Sequence, residues 1–187
     1  MSNDTPVLTS CLAPISKDGL DALIAAGKAN PAAIKTVKCR TVAEGRFRHL
    51  NFIRNLPPHI VDEPPALLGD DTAPNPSEAL LAALGSCLAV GIHANAVANG
   101  VTVHKLALEL EADINITSVW GTGDTSPKPV GFDAIRVKVD LDADAPAEQL
   151  EALIAHAQKW SPVANTIAKP VALSVDLSVN RTQEASA

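Results

Sequence analysis

One stretch of this chain decides its fold: A-L-L-A-A-L-G-S-C-L-A-V-G-I-H-A-N-A-V-A, from Ala79 to Ala98. It has no formally charged residue, it follows the loop-like segment P-N-P-S-E at residues 74–78, and it ends at Asn99-Gly100, a strong helix stop. These features predict a long apolar helix with Cys87 near its middle. A thiol in that place is either inert packing or a reactive group held in a dry pocket.

The length of this stretch is close to that of a membrane span, so its composition has to be weighed. Much of its apolarity is alanine, and it contains Ser86, His93 and Asn95. It also lacks aromatic anchors and flanking clusters of Lys and Arg. We therefore interpret it as the buried central helix of a globular domain and expect no membrane partner. The small residues Gly85 and Gly91 predict that neighbouring elements approach it closely.

The composition limits the classes of function. A chain of 187 residues with 47% hydrophobic and 19% charged residues is long and apolar enough to bury the core of one folded domain. A net charge of -6, no tyrosine and only five other aromatic residues (three Phe, two Trp) argue against a nucleic-acid partner. The first residues lack the features of a signal peptide, and three irregularly spaced cysteines make no disulfide framework. We expect a cytoplasmic protein with reduced thiols.

The rest of the chain alternates between helical and strand-like patterns. A short helix is predicted to open at Ser16, and Glu44-Gly45 is predicted to be a hairpin turn. Ser161 and Pro162 have the residue types of a helix cap and first helical position. The predicted strands are residues 34–41, 46–53, 59–61, 101–114, 132–141 and 171–179, and the later helices are residues 147–160 and a short one after Ser161.

Two segments carry a resemblance to a known family. The segment D-E-P-P-A-L-L-G-D-D-T-A-P-N-P-S-E-A-L-L-A-A-L-G-S-C-L-A, residues 62–89, is similar to the signature of the OsmC/Ohr superfamily, in which a proline-bearing loop leads into a long helix with a reactive cysteine. The segment K-W-S-P-V-A-N-T-I, residues 159–167, resembles the family's second motif, a Cys-Pro that begins a short helix. We therefore divide the chain into an N-terminal helical extension, residues 1–33, and an OsmC-like domain, residues 34–187.

The resemblance implies an α+β fold, an intertwined homodimer in which antiparallel sheets wrap two long central helices. It also implies reduction of organic hydroperoxides by a cysteine thiolate, without a metal or another cofactor. A dry helical pocket alone disfavours a charged sulfur, so a cation has to reach Cys87. Arg46 best matches the family's arginine, and Arg48 is the second candidate. We predict that Cys87 is buried within reach of one of them, from the same chain or from the partner.

The chain also departs from the family pattern. Ser161 stands where the family has its second cysteine, and a hydroxyl cannot form a disulfide with a sulfenic acid. Recycling would then need an external thiol. The family's glutamate position is occupied by Ser77, and Glu78 lies one residue later, about 100° around a helix. Glu78 is thus either the catalytic carboxylate or a cap at the helix start. We assign Arg48, Leu84 and Ser161 to substrate binding.

Some alternatives stay open at this stage. Cys39 is expected in the core, or else as a substitute resolving thiol. His59, Asp62 and Glu63 lack the spacing typical of a metal site, and none is predicted. Cys11 is expected on the surface or in a loop. Two functions remain: a one-cysteine hydroperoxide reductase with an external thiol reductant, and a non-catalytic homodimer that binds a small molecule.

Overall fold

The computed structural model describes residues 12–13, 15–116, 119–121 and 130–178. These residues form four α-helices, five strands and a 3₁₀ turn at Pro65–Leu67. The helices are α1 (Lys17–Ala29), α2 (Pro76–Ala98), α3 (Ala147–Trp160) and α4 (Pro162–Ala168). The strands are β1 (Arg40–Gly45), β2 (Arg48–Phe52), β3 (His59–Val61), β4 (Val103–Ile114) and β5 (Phe132–Ala143).

The strands form two separate antiparallel sheets. One has the order β1-β2-β3, and the other is the long hairpin of β4 and β5. Helix α2 packs against α3, α4 and β4. A compact apolar cluster, Ala96, Val101, Val103 and Leu153, joins the end of α2 to β4 and α3. This is the mixed helix-and-sheet class that the sequence predicts.

Helix α2 begins three residues earlier than the apolar stretch suggests. The side chain of Asn75 accepts a hydrogen bond from the backbone N–H of Glu78, and the Glu78 carboxylate accepts one from the N–H of Asn75. This reciprocal capping box, with Pro76 in the first turn, brings residues 76–78 into the helix. The predicted stop is confirmed, since Asn99 caps the C-terminus and Gly100 has a φ of 70°.

One face of α2 is buried and the other is open. The buried residues recur at helical spacing and are Leu84, Gly85, Leu88, Ile92 and Ala96. A Cβ on Gly85 would lie 2.8 Å from Leu110, and one on Gly91 would lie 3.1 Å from the Cβ of Ala157, so the predicted close approaches are present. Leu80 and Val90 remain exposed, Val90 by 69%. Of the described helices, α2 alone is long and apolar enough to cross a membrane, but its packing makes it the central helix.

The first predicted strand is displaced along the chain. Strand β1 starts at Arg40, and residues 33–39 have no regular structure. The turn lies at Arg46-Phe47 and not at Glu44-Gly45, because a bulge between Ala43 and Gly45 extends β1 and Arg46 takes the left-handed conformation, with a φ of 46°. The predicted strand at residues 34–41 is therefore mostly wrong.

The predicted last strand is also absent from the described residues. Residues 171–178 contain the expected alternation, yet they join neither sheet. Val171, Leu173, Val175 and Leu177 are exposed by 63–88%. Alternation gives a segment one apolar face, but a strand also needs a neighbour for its hydrogen bonds, and the described part of the chain supplies none here. Residue 179 lies outside the described residues.

Candidate active site

Cys87 lies at the midpoint of α2, eleven residues from either end, and its side chain is half-buried. The nearest polar group that bonds to it is the hydroxyl of Ser161, whose Oγ lies 3.1 Å from Sγ of Cys87. The two residues are 74 positions apart in sequence. The fold thus places Ser161 beside Cys87. Ser161 is the position at which the resemblance of residues 159–167 to the family's second motif predicts a cysteine.

Ser161 lies at the junction of α3 and α4, where its hydroxyl and its backbone N–H both form hydrogen bonds. It is 4% exposed, and its Oγ accepts a hydrogen bond of 3.0 Å from the backbone N–H of Ala164 as the predicted cap of α4. Its own N–H donates to the carbonyl of Ala157. Because the hydroxyl has a single proton, accepting from Ala164 leaves that proton for the sulfur of Cys87. Ser161 therefore donates to the sulfur in a fixed direction.

An apolar cavity of about 350 Å³ lies close to this part of α2 and α4, although neither Cys87 nor Ser161 is among the residues that line it. Ala164, which bonds to the Ser161 hydroxyl, is part of its wall, as are Leu84 and Leu88 on α2. Leu84, predicted to contact substrate, therefore faces this space. The remaining wall is mostly aliphatic and comes from α2, β5, α3 and α4: Ile92, Ile135, Val137, Val139, Ile154, Gln158, Ile167 and Ala168. Such a cavity suits the organic part of a small molecule.

The two candidate arginines lie at the tip of the β1-β2 hairpin, each with partners. Arg46 pairs with Asp70 at 2.5 Å. The Arg48 Nε donates to Glu44 at 2.6 Å, and its Nη1 donates to Oγ1 of Thr72 at 2.5 Å. Within the described residues, no hydrogen bond or ion pair joins either guanidinium to Cys87. The structure thus brings Cys87 and Ser161 together and places both arginines against the loop that precedes α2.

Glu78 is engaged at the start of α2 as half of the capping box. It lies nine positions before Cys87, about 13.5 Å away along a helix axis. Of the two roles that the sequence leaves open for Glu78, the structure shows the cap. Its charge also acts on a neighbour, since Glu78 helps raise the pKa of Glu63.

The pKa values of two adjacent carboxyl groups in this loop are shifted in opposite directions. Asp62 is fully buried, and the Thr72 hydroxyl, with backbone N–H groups of Thr72, Glu63 and Asp70, lowers its pKa from 3.8 to about 2 against the opposing effect of burial. Burial raises the pKa of Glu63, helped by the charges of Glu78 and Asp62. Its Oε2 is buried without a hydrogen-bond partner among the described residues.

Sequence reasoning missed the role of Asp62, which it weighed only as a metal ligand. Within the described ranges, no group of three or more His, Cys, Asp and Glu side chains is arranged to hold a metal ion. The available signal was the position of Asp62 between a short strand and a proline-rich loop, where a buried carboxylate can bind loop N–H groups. The contact of Phe47 with Trp120, at 5.7 Å between ring centroids, was also missed.

Of the other two cysteines, the structure describes Cys39 alone, and no hydrogen bond joins it to this pair within the described residues. Cys39 is exposed, so its expected place in the core is wrong. The reason is that residues 33–39 form no strand and pack into no sheet. Cys11 lies outside the described residues.

Comparisons with known proteins agree with this architecture. The model of the family described as OsmC-like protein matches residues 69–176, which include Cys87 and Ser161. Comparison with curated proteins gave no match. An OsmC-like protein from Mycoplasma pneumoniae aligns with a TM-score of 0.62 at 16% identity, over 73% of this chain and 89% of that chain.

Two proteins from Vibrio cholerae have a similar fold. One is an OsmC-like protein of unknown function, with a TM-score of 0.55, 14% identity and coverage of 71% of this chain and 94% of that chain. The other is provisionally described as an organic hydroperoxide resistance protein, with a TM-score of 0.50, 18% identity and coverage of 74% and 88%. At these identities the likeness establishes the fold.

Proposed function

This chain belongs to the OsmC-like protein family, and from that premise we propose that it is a one-cysteine, thiol-dependent reductase of organic hydroperoxides. The observation that carries the proposal is the bond of 3.1 Å from the Ser161 hydroxyl to Sγ of Cys87. Leu88, the next residue after Cys87, and Ala164, which bonds to Ser161, both line the apolar cavity. A thiol that only filled space would not need a directed hydrogen-bond donor. The Vibrio cholerae neighbour described provisionally as an organic hydroperoxide resistance protein supports this assignment.

The reaction proceeds in two stages. The Cys87 thiolate attacks one peroxide oxygen, the O–O bond breaks, and the other oxygen leaves as an alkoxide that takes up a proton to become an alcohol. Cys87 is then a sulfenic acid. One external thiol condenses with it, releasing water and leaving a mixed disulfide, and a second thiol attacks that disulfide to restore Cys87. Two thiols are oxidised to a disulfide for each peroxide reduced.

Ser161 and the cavity have distinct roles in this scheme. The hydroxyl donates to the sulfur and so stabilises negative charge on it. The aliphatic wall, including Leu84, takes the organic part of the peroxide. Arg46 and Arg48 are the candidate cations for Cys87. Glu78 remains the candidate catalytic carboxylate, and it would act electrostatically from the start of α2.

The homodimer is part of the same proposal. Val90 on the open face of α2 is 69% exposed, and the apolar residues Ile34, Val37, Leu173 and Leu177 are exposed by 86–96%. Apolar surface of this extent is typical of an interface. A second copy of the chain would cover it, and an arginine of that copy is a second source of positive charge for Cys87. We place the protein in the cytoplasm and in the response to oxidative stress.

A specific observation favours a second candidate function. Both arginines are bonded to the hairpin and the loop before α2, away from any bond to Cys87 in the described residues. The cavity is nevertheless present. A non-catalytic homodimer that binds a small apolar molecule would have these two features.

Oxidation of Cys87 separates the two functions. One equivalent of an organic hydroperoxide should add one oxygen to Cys87, and excess peroxide should carry the sulfur to sulfinic or sulfonic acid. Mass spectrometry of the Cys87 peptide counts the oxygens, and Cys87→Ser is the control for oxidation elsewhere. Steady consumption of peroxide should require an added thiol. If Cys87 stays unmodified under conditions that oxidise a free thiol, the binding function replaces the reductase.

A further inference from the structure

The loop between β3 and α2 closes around the carboxylate of Asp62, which is 0% exposed. Oδ1 accepts a hydrogen bond of 2.8 Å from the N–H of Glu63, and Oδ2 accepts two from Thr72, at 3.1 Å from its N–H and 2.7 Å from its hydroxyl. The N–H of Asp62 donates to the carbonyl of Pro74. Asp62 therefore holds both ends of the loop in one place.

The loop is also tight around its first turn. The N–H of Asp71 donates to the carbonyl of Glu63, and the N–H of Gly69 donates to that of Pro64. A Cβ on Gly69 would lie 1.8 Å from the carbonyl oxygen of Glu63, so only glycine fits there. A loop packed this closely presents its outward side chains in fixed positions.

Two of those side chains contact the candidate cations. The Asp70 carboxylate pairs with Arg46 at 2.5 Å, and Oγ1 of Thr72 accepts from Nη1 of Arg48 at 2.5 Å. An ionised carboxylate can only accept, so the Thr72 proton must point to Asp62 and the oxygen lone pairs are left for Arg48. The charge of Asp62 thus orients the hydroxyl that receives Arg48.

We propose that Asp62 is a positioning residue, which acts through Thr72 on Arg48 and through the loop backbone at Asp70 on Arg46. The inference rests on the proposed function in one respect, that these arginines supply positive charge to Cys87 in the same chain or in the partner. Asp62 itself touches no reacting atom in this scheme. Its effect is to fix where two cations stand.

Four variants test whether Asp62 positions Arg48 through Thr72. Thr72→Val removes the hydroxyl from an exposed residue, and Thr72→Ser is the conservative variant that restores it. Asp62→Asn keeps the shape of the buried side chain but adds a donor. Asp71→Asn is the matched control, because it removes a charge from an exposed side chain of the same loop. The Thr72 pair keeps the test decisive if Asp62→Asn fails to fold.

Two measurements, neither of which needs peroxide, read the outcome. NMR of the Arg48 guanidinium should show faster rotation in Thr72→Val and Asp62→Asn, by about fivefold for the loss of a hydrogen bond near 1 kcal/mol. The alkylation rate of Cys87 with anionic iodoacetate, divided by the rate with neutral iodoacetamide, reports nearby positive charge. This ratio should fall by about fivefold in the same two variants and stay unchanged in Thr72→Ser and Asp71→Asn.

The results that would overturn the proposal are separate from those that would overturn the reductase. An unchanged rotation rate of the Arg48 guanidinium in both Thr72→Val and Asp62→Asn would contradict the proposed role of Asp62. If Arg48→Gln lowers the alkylation ratio, an unchanged ratio in Thr72→Val and Asp62→Asn would also contradict it. If neither Arg46→Gln nor Arg48→Gln lowers the ratio, the arginines supply no charge to Cys87 and the proposed role of Asp62 fails with that premise. Failure of peroxide to oxidise Cys87 would remove the reductase function alone, since both readouts here use the reduced protein.

Discussion

The hydroxyl oxygen of Ser161 lies 3.1 Å from the sulfur of Cys87, although 74 positions separate the two residues. The contact places the start of α4 against the middle of α2. It makes residue 161 the position from which a second thiol could reach Cys87. A thiol in place of the Ser161 hydroxyl would therefore lie close to the sulfur of Cys87.

Restoring that thiol should restore the resolving step. In Ser161→Cys, mild oxidation with one equivalent of hydroperoxide should give a disulfide between residues 87 and 161, because a small rotation closes 3.1 Å to a bond of about 2 Å. Mass spectrometry should show the loss of two hydrogens and one cross-linked peptide. Thr166→Cys, on the exposed side of α4, should form none. If residues 87 and 161 never pair, the similarity to the family's second motif does not hold at residue 161.

Removing the hydroxyl should destabilise the fold. Ser161→Ala takes away both the cap of α4 and a bond to Cys87, and the loss of a cap typically costs about 1 kcal/mol. The free energy of unfolding, measured in urea, should fall by about that amount or more. The same substitution in a Cys87→Ala background should cost less, because only the cap remains to be lost. Equal costs in both backgrounds would show that the Cys87 bond contributes nothing.

Local signals account for the parts of the site that the sequence predicts. The Asn99-Gly100 stop, the Ser161-Pro162 start of α4 and the position of Cys87 on α2 all follow from residues close together in the chain. Such signals act within a turn or two of a helix, so one sequence suffices to find them.

The features that the sequence does not predict depend on residues that are distant in the chain. Residues 34–39 and 171–178 have the composition of strands but pair with no other described residues, and alternation does not reveal a partner. The role of Asp62 depends on Thr72, ten residues later, which becomes a neighbour only after the loop closes. The partners of the two arginines, Asp70 and Thr72, are each 24 positions away, so local signals do not reveal them either.

The buried carboxylate of Asp62 should make the fold sensitive to acid. Its pKa is about 2 in the fold and 3.8 as the ordinary value, so its stabilising effect is present above pH 4 and is lost as the pH falls toward 2. The difference in unfolding free energy between the wild type and Asp62→Asn should shrink across that window. Urea titrations between pH 5 and pH 2 measure it, with Asp71→Asn as the control. A difference that is constant with pH would contradict the assignment.

The contribution of Glu63 to stability should change with pH in the opposite direction to that of Asp62. Its pKa is raised above 4.5 by burial and by the charges of Glu78 and Asp62, so the folded state holds its proton longer than the unfolded chain does. Stability is then lost as the pH rises through 4.5 and the folded-state pKa. Glu63→Gln should gain stability relative to the wild type between pH 4 and pH 7, and thermal unfolding at both values tests this. Glu151→Gln, an exposed control on α3, should not change.

A charge on the open face of α2 should weaken the proposed dimer. Val90 is 69% exposed in one chain, and Val90→Glu keeps a good helix former there while placing a carboxylate in the interface. A penalty of about 2 kcal/mol raises the dissociation constant by about thirtyfold, which sedimentation equilibrium detects. Leu23→Glu is the matched control, because Leu23 is 72% exposed on α1, within the N-terminal extension. A wild-type chain that is monomeric at micromolar concentration, or a Val90→Glu variant that dimerises as tightly as the wild type, would show that this face of α2 is not the interface.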